Sequence, residues 1–372
     1  HSEAARWPGF APAFMPAGPP EVGSRFRQEG VARALEAIAA DGPRSFYEGA
    51  LAKSLAAGLA AAGSPLTAAD LAATRTREAA PLSIAYRGYE LLAPPPPTQG
   101  VSTLAIMGIL RRFDLPAYGA GSAGHIHLCV EAVKRAFLTR DAIADPDFAP
   151  QPVVVWLDPD RLAAAARTID LGKALSWPQP LRTGDTVFFG AVDRRGRSAS
   201  VLQSLYFDWG SGTPIGETGI LWQNRGAAFY AAPGHPNTLA PGKRPFYTLN
   251  PGLALKDGKP ALVYGTQGAD GQPQTLSMVL TRLIDFGETP AGALAGPRFL
   301  LGKTFSDSRD SLKIESDVGA ATLADLAARG HELSPIEPRS PLAGLAGAIR
   351  IGGDGAMEGA HDPRGEGVAE AV

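Results

Sequence analysis

The chain has one cysteine, Cys129, among its 372 residues, which excludes an intramolecular disulfide and any metal site built from several thiolates. It lacks a run of the roughly 20 apolar residues that a bilayer span needs, and His1 to Arg6 carries no signal-peptide pattern. A dominant charge is also missing: the net is −2 with 19% charged residues, and the basic ones are scattered. Neither a phosphate backbone nor an anionic membrane surface has a footprint here. The expected partner is therefore a small molecule or peptide-like group, with no nucleic acid, membrane, metal or cofactor. The compartment stays open between cytoplasm and periplasm.

What is present suffices for one large or two ordinary domains with a substantial core. Residues 1 to 24 are rich in Pro and Gly and read as an extended arm. Helical spacing runs from Glu29 to Ala40, stopped by Asp41-Gly42-Pro43, and again from Phe46 to Gly63. Thr67-x-x-Asp70 has the form of a capping box opening a short helix. Tyr86 to Ala93 reads as one strand, and Pro94 to Pro97 as either a polyproline linker or a strand exit before a helix from Ser102 to Phe113. A further helix covers His125 to Asp141. His125 and His127 sit two apart on it and so point to different sides, which makes them poor joint metal ligands. Later segments read as strands at Ala261 to Gly265, Ser311 to Glu315 and Ala346 to Ile351, with helices at Thr275 to Phe286 and Ala321 to Arg329.

The middle of the chain carries the chemistry. Val187 to Val192 is rich in β-branched and aromatic residues, Asp193 to Gly196 supplies turn formers, and Ser200 to Phe207 resumes an alternating pattern. This predicts a β-hairpin, near the middle of a sheet, whose first strand opens at Thr186. A threonine at a strand start is ordinarily a β-former with a satisfied hydroxyl. Gly184-Asp185-Thr186, the hairpin and Phe207 to Asn224 nevertheless resemble the self-cleavage region of the γ-glutamyltransferase family. Further likenesses follow in collinear order: Pro95-Pro-Pro-Thr-Gln-Gly, Glu131-Ala-Val-Lys-Arg-Ala-Phe-Leu-Thr-Arg, Asp145-Pro-Asp-Phe, Arg244-Pro245, Gly296-Pro-Arg-Phe and Asp362-Pro-Arg.

The resemblance implies an α+β fold, an αββα four-layer sandwich of the N-terminal-nucleophile hydrolase type. It implies a cut between Asp185 and Thr186, giving residues 1–185 as the mostly helical C-terminal part of a large subunit and 186–372 as a small subunit. Both would belong to one sandwich domain and stay together as a heterodimer, with a dimer of heterodimers as a further assembly. The family's N-terminal region, which carries an Arg for the substrate carboxylate, has no counterpart before His1. Thr186 would be the nucleophile and its own freed amine, with a pKa near ~8, the base. Ser204, at a family Thr position, would orient it. Gly268 and Ala269, in Gly265-Thr-Gln-Gly-Ala-Asp-Gly-Gln-Pro-Gln, match the glycine pair whose N–H groups hold the oxyanion, although this loop also reads as a plain strand-to-helix turn.

The pocket departs from the family pattern. Gln223-Asn-Arg-Gly-Ala-Ala-Phe stands where γ-glutamyltransferases have Asn-Asn-x-Met-x-Asp-Phe, so the Asp that grips the γ-glutamyl ammonium becomes Ala228 and a cation enters at Arg225. Tyr247-Thr248 replaces a Ser-Ser pair, Tyr206 replaces an Asn, and the interval from Phe229 to Arg244 is short, which points to an open pocket. These changes resemble the cephalosporin-acylase-like branch. The resulting expectation is an amidohydrolase cleaving side-chain amides, glutaryl amides among them, with Tyr206, Arg225, Tyr247 and Thr248 at the acyl group. Arg225 could instead be solvated or paired with an acid. A true γ-glutamyltransferase or glutathione hydrolase is the nearest alternative, and a non-catalytic binding or scaffold remnant a further one.

Overall fold

The structure is a computed structural model that describes residues 4–177, 185–303 and 309–372. Gly184, first residue of the Gly-Asp-Thr motif, lies outside the described residues.

The expected N-terminal arm is partly folded. A 3-10 turn at Ala4–Arg6 and helix α1 (Phe10–Phe14) form because Trp7, Phe10 and Phe14 recur at helical spacing and share one aromatic cluster with Trp209. Helix α2 (Glu29–Asp41) ends at Gly42 as expected. The single helix expected from Phe46 is split: a 3-10 turn at Pro43–Phe46 precedes α3 (Gly49–Ala61), and Gly49 at φ 85 breaks the run. At α4 (Ala68–Ala73) the capping box is present, with Asp70 N–H donating to Thr67 Oγ1 and Thr67 N–H to the Asp70 carboxylate at 2.7 Å.

The strand expected over Tyr86 to Ala93 is a hairpin, β1 (Leu82–Tyr86) and β2 (Tyr89–Ala93). Its two-residue turn, Arg87-Gly88, has φ of 49 and 81, the positive values that match the twist of paired strands. Helix α5 (Gly100–Leu110) starts earlier than expected and is buried throughout. Helix α6 (Ala123–Phe137) is capped by Ser122 and stops before a 3-10 turn at Arg140–Ala142. Short helices α7 (Val153–Trp156) and α8 (Pro159–Arg167) follow, then the central hairpin β3 (Asp185–Val192) and β4 (Ser198–Tyr206). The remainder comprises β5 (Pro214–Ile215), β6 (Ile220–Leu221), β7 (Gly252–Lys256), β8 (Lys259–Thr266), α9 (Gln272–Ile284), α10 (Pro290–Ala295), β9 (Phe299–Gly302), β10 (Ser311–Glu315), α11 (Ala320–Ala328), β11 (Leu333–Ile336), β12 (Ala346–Ile351) and β13 (Met357–His361).

The chain divides into two compact units, with boundaries after Glu78, inside β4 after Ser204, and after Asn224. One unit, His1–Glu78 with Leu205–Asn224, packs α3 and α4 on the β5–β6 pair around Leu55, Leu59, Leu71 and Ile215. The other, Ala79–Ser204 with Arg225–Val372, is built on a six-stranded antiparallel sheet in the order β1-β2-β7-β8-β12-β13. Leu262 and Tyr264 of β8 face a core shared with α5, α6 and α9. Alternation along β8 turns Val263 and Gly265 to the opposite face. There the central hairpin packs as a sheet of its own, not within a larger sheet as expected. The reason is steric: Gly265 and Gly347 are paired neighbours on β8 and β12, and the groove they leave holds the Phe188 ring.

Two of the motifs that carried the family likeness, Gly296-Pro-Arg-Phe and Asp362-Pro-Arg, join Glu315 in a buried charge network in this unit. Arg298 pairs with Asp362 at 2.5 Å, and Arg364 with Glu315 and Asp362, all with fully buried side chains. Arg298 Nη2 also donates to the Gly344 carbonyl at 2.9 Å, and Asp362 accepts from Ala346 N–H at 2.9 Å, which fixes the entry to β12. Removing one member would strand a buried charge, a change that costs about 3–5 kcal/mol.

Candidate active site

Burial alternates along β3: Thr186 is 5% exposed, whereas Val187 and Phe189 are 64% and 51% exposed. Thr186 thus shares the inward face with Phe188 and Gly190. A Cβ on Gly190 would meet Val263, and one on Gly265 would meet the Phe188 ring, so stepping back along β3 from Gly190 to Phe188 moves forward along β8 from 263 to 265. Two residues further back, Thr186 is the next inward-facing position of β3, and β8 ends at Thr266. The hairpin closes with Asp193 N–H donating to Arg197 C=O at 3.0 Å. Ser204 lies on β4, the strand paired with the one that Thr186 opens.

Gly268 and Ala269 form the turn between β8 and α9. Gly268 has φ 120 and Ala269 φ 43, and Gly271 N–H donates to Gly268 C=O at 2.7 Å. The left-handed region costs a non-glycine residue about 1–2 kcal/mol, so the turn at Ala269 has to be held by its surroundings. Gln267 N–H donates to Leu345 C=O at 3.0 Å, and Gly344 lies against Thr266, Gln267 and Gly268. The turn therefore rests on the β12 entry that Arg298 and Asp362 fix.

The acyl-pocket candidates Arg225, Tyr247 and Thr248 come together. Arg225 is 3% exposed, which removes the reading of a solvated side chain. Its Nη1 donates to Thr248 Oγ1 at 3.2 Å, and its guanidinium lies over the Tyr247 ring at 5.2 Å. Burial raises the Tyr247 hydroxyl pKa against the opposing pull of Arg225 and Arg244. Behind this wall lie residues that the sequence analysis did not single out. Gln99 donates to the carbonyls of both Thr248 and Ala269, and Arg140 reaches Gln99 and Asp270. The available signal was that Gln99 and Arg140 sit inside two of the motifs quoted for the family likeness.

Tyr206 belongs to the other compact unit, where its ring stacks on Phe207 with centroids 4.5 Å apart. Ala228 is buried in a 3-10 turn at Arg225–Ala228. The short stretch after Phe229 is docked: Tyr230 and His235 both bond Asp141 at 3.0 Å, and Asn237 bonds the Ile143 carbonyl. Arg244 donates to Asp145 through its side chain and backbone. Burial opposes ionisation of Asp145, but these bonds hold its carboxyl below the usual range.

His125 and His127 do diverge. His125 bonds Thr281 at 2.9 Å, and burial lowers its pKa to about 3. His127 instead meets His331 at 2.8 Å, and together with Glu131 they bring potential metal-ligand atoms within 4.8 Å of one another. Comparing only the two helical histidines missed this group. Its atoms are engaged with one another and with neighbours. His127 Nε2 faces the Asp170 carbonyl and so carries the hydrogen, leaving Nδ1 to accept from His331, while Glu131 accepts from Lys134 and Arg135. Burial chiefly, then the positive charge of Lys134, lowers His331 to about 3. Cys129 is fully buried and its thiol is pushed up to about 12.

Residues 1–372 match the family Gamma-glutamyltranspeptidase. The chain is 45% identical over 365 residues to the oxamate amidohydrolase proenzyme of Klebsiella pneumoniae subsp. pneumoniae, covering 97% of this chain and 69% of that protein. It is 39% identical over 354 residues to a glutathione hydrolase-like proenzyme of Bacillus subtilis, covering 95% and 67%. Among solved structures it is similar to cephalosporin acylase from Bacillus halodurans, with TM-score 0.87 and 31% identity over 95% of this chain and 65% of that one. The chain spans about two thirds of the length of these relatives.

Proposed function

The chain belongs to the gamma-glutamyltranspeptidase family, and on that premise we propose that it is a self-processing N-terminal-threonine amidohydrolase for monoamides of dicarboxylic acids. The hairpin and the six-stranded sheet are then the two inner layers of an αββα sandwich. Cleavage before Thr186 leaves residues 1–185 and 186–372 associated as a heterodimer. The observation that supports the reading is the seating of β3 on β8 through Gly190 and Phe188, on the same strand face as the buried Thr186.

In the reaction, the freed amine of Thr186 takes the hydroxyl proton as Oγ1 attacks the amide carbonyl. The electron pair displaced onto the carbonyl oxygen is held by the N–H groups of Gly268 and Ala269. The proton passes to the leaving nitrogen as the C–N bond breaks, and water then releases the acid by the same route. Ser204 orients Oγ1 from the neighbouring strand. Arg225, set by Thr248 and Tyr247, grips the carboxylate at the far end of the acyl group. Oxamate, in the name of one relative, and glutaryl amides both fit that description.

Denaturing mass spectrometry of the folded protein tests the reading, with a break expected between Asp185 and Thr186 in the native chain and an intact chain in Thr186→Ala. Hydrolysis by the alanine variant would falsify the assignment of the nucleophile. A glutathione-hydrolase activity is favoured by the B. subtilis relative's name, but Ala228 removes the carboxylate for the γ-glutamyl ammonium. That loss costs about 2–5 kcal/mol of recognition.

A further inference from the structure

Gln99 ends the proline-rich loop before α5, and its side chain is fully buried. Its Nε2 donates to Thr248 C=O at 2.6 Å and to Ala269 C=O at 2.7 Å, and its Oε1 accepts from Arg140 Nε at 3.1 Å. Both carbonyls can only accept and a guanidinium can only donate, so the carboxamide is fixed in this orientation. The backbone adds two bonds to the same wall: Gln99 N–H donates to Tyr247 C=O at 3.0 Å, and Tyr247 N–H to Pro97 C=O at 2.8 Å. Arg140 completes the bridge by bonding Asp270, next to Ala269, while lying over the Phe246 ring at 4.9 Å.

One amide thus spans the two groups that would grip opposite ends of the substrate. Thr248 carries the contact to Arg225, and Ala269, in a left-handed conformation, would supply an oxyanion donor in the reading above. We propose that Gln99 is a specificity-determining positioning residue that fixes the spacing between the carboxylate grip and the oxyanion donors, and so selects the length of the diacid chain. This rests on the amidohydrolase reading given above. A substrate held at both ends by a rigid frame reacts only when its length matches, because a misfit of one methylene moves the carbonyl off the donors. Loosening the frame should lower the best rate and relax the choice of length together.

The test is kcat/KM of the processed enzyme across oxamate, malonamate, succinamate and glutaramate, for wild type, Gln99→Met and Arg140→Lys. Wild type should favour one length by about 10-fold or more over its neighbours, the scale on which one methylene is discriminated. Gln99→Met should cut the best rate about 10-fold, mainly in kcat, and bring neighbouring lengths within about threefold of it. Arg140→Lys, at the more exposed end of the bridge, should flatten the profile in the same direction, and it carries the test alone if Gln99→Met does not fold or process. A residue that merely supports the fold would lower all four substrates by one factor. An optimum whose position and sharpness survive the substitutions therefore overturns this proposal and leaves the parent reading standing. A wild type that hydrolyses none of the four overturns both.

Discussion

Replacing Gly265 by alanine asks whether the seating of the hairpin sets the nucleophile. The new Cβ would stand 2.2 Å from Phe188 Cδ2 and 2.5 Å from Cε2, closer than carbon atoms approach without bonding. The ring has little room to retreat, since it also fills the space over Gly347, where a Cβ would meet it at 2.6 Å. Either the ring turns out to solvent or β3 lifts from β8. Overpacking of this kind costs about 1–3 kcal/mol. If about 2 kcal/mol of it is added to the barriers for cleavage and attack, processing and turnover drop roughly 30-fold, because 1.36 kcal/mol is a factor of about ten. Time courses of Asp185–Thr186 cleavage by mass spectrometry, with kcat/KM of the processed fraction and a melting curve, measure the effect. Shortening the ring with Phe188→Leu should recover part of the loss, with a coupling of about 0.5–3 kcal/mol between the two sites. Wild-type processing in Gly265→Ala, or an equal loss in the leucine background, would refute the reasoning.

Thr186→Ser should process and turn over more slowly but still measurably, since the acyl shift and the attack need the hydroxyl and the methyl only positions it; a serine variant as inert as Thr186→Ala would speak against that division of roles. Arg225→Met should narrow the preference for glutaryl over γ-glutamyl amides chiefly by slowing the glutaryl substrate, and an unchanged ratio in parallel kinetics would mean that Arg225 does not read the acyl group. His331 is depressed from 6.5 to about 3, so the unfolded chain takes up its proton first and stability falls as pH drops below 6.5. Between pH 6.5 and 4.5 the loss is about 2 kcal/mol for one such histidine. His331→Gln, which keeps a donor for His127, should flatten the dependence of unfolding free energy on pH by nearly one proton, and an unaltered slope would show that His331 is not the buried neutral base.

What the sequence by itself determined is what depends on near neighbours and on bulk composition. A hydroxyl and a carboxylate three residues apart specify the cap at Thr67 and Asp70, alternation specifies the β3–β4 hairpin, and the single cysteine excludes an intramolecular disulfide. The collinear motifs carried the family and the nucleophile candidate. Even locally some signals went unread: Arg87-Gly88 is a two-residue hairpin turn hidden inside an apparent strand, and Gly49 divides an apparent helix. Tertiary structure alone decided the rest. Whether the hairpin joins a sheet or lies across one depends on the glycine groove at Gly265 and Gly347, on strands that are not adjacent in sequence. Gln99 reaches Ala269 across 170 positions, and His127 reaches His331 across 204. Propensity and periodicity act over a few residues, whereas a buried amide or imidazole takes its partner from whichever chain segment packing brings within hydrogen-bond distance.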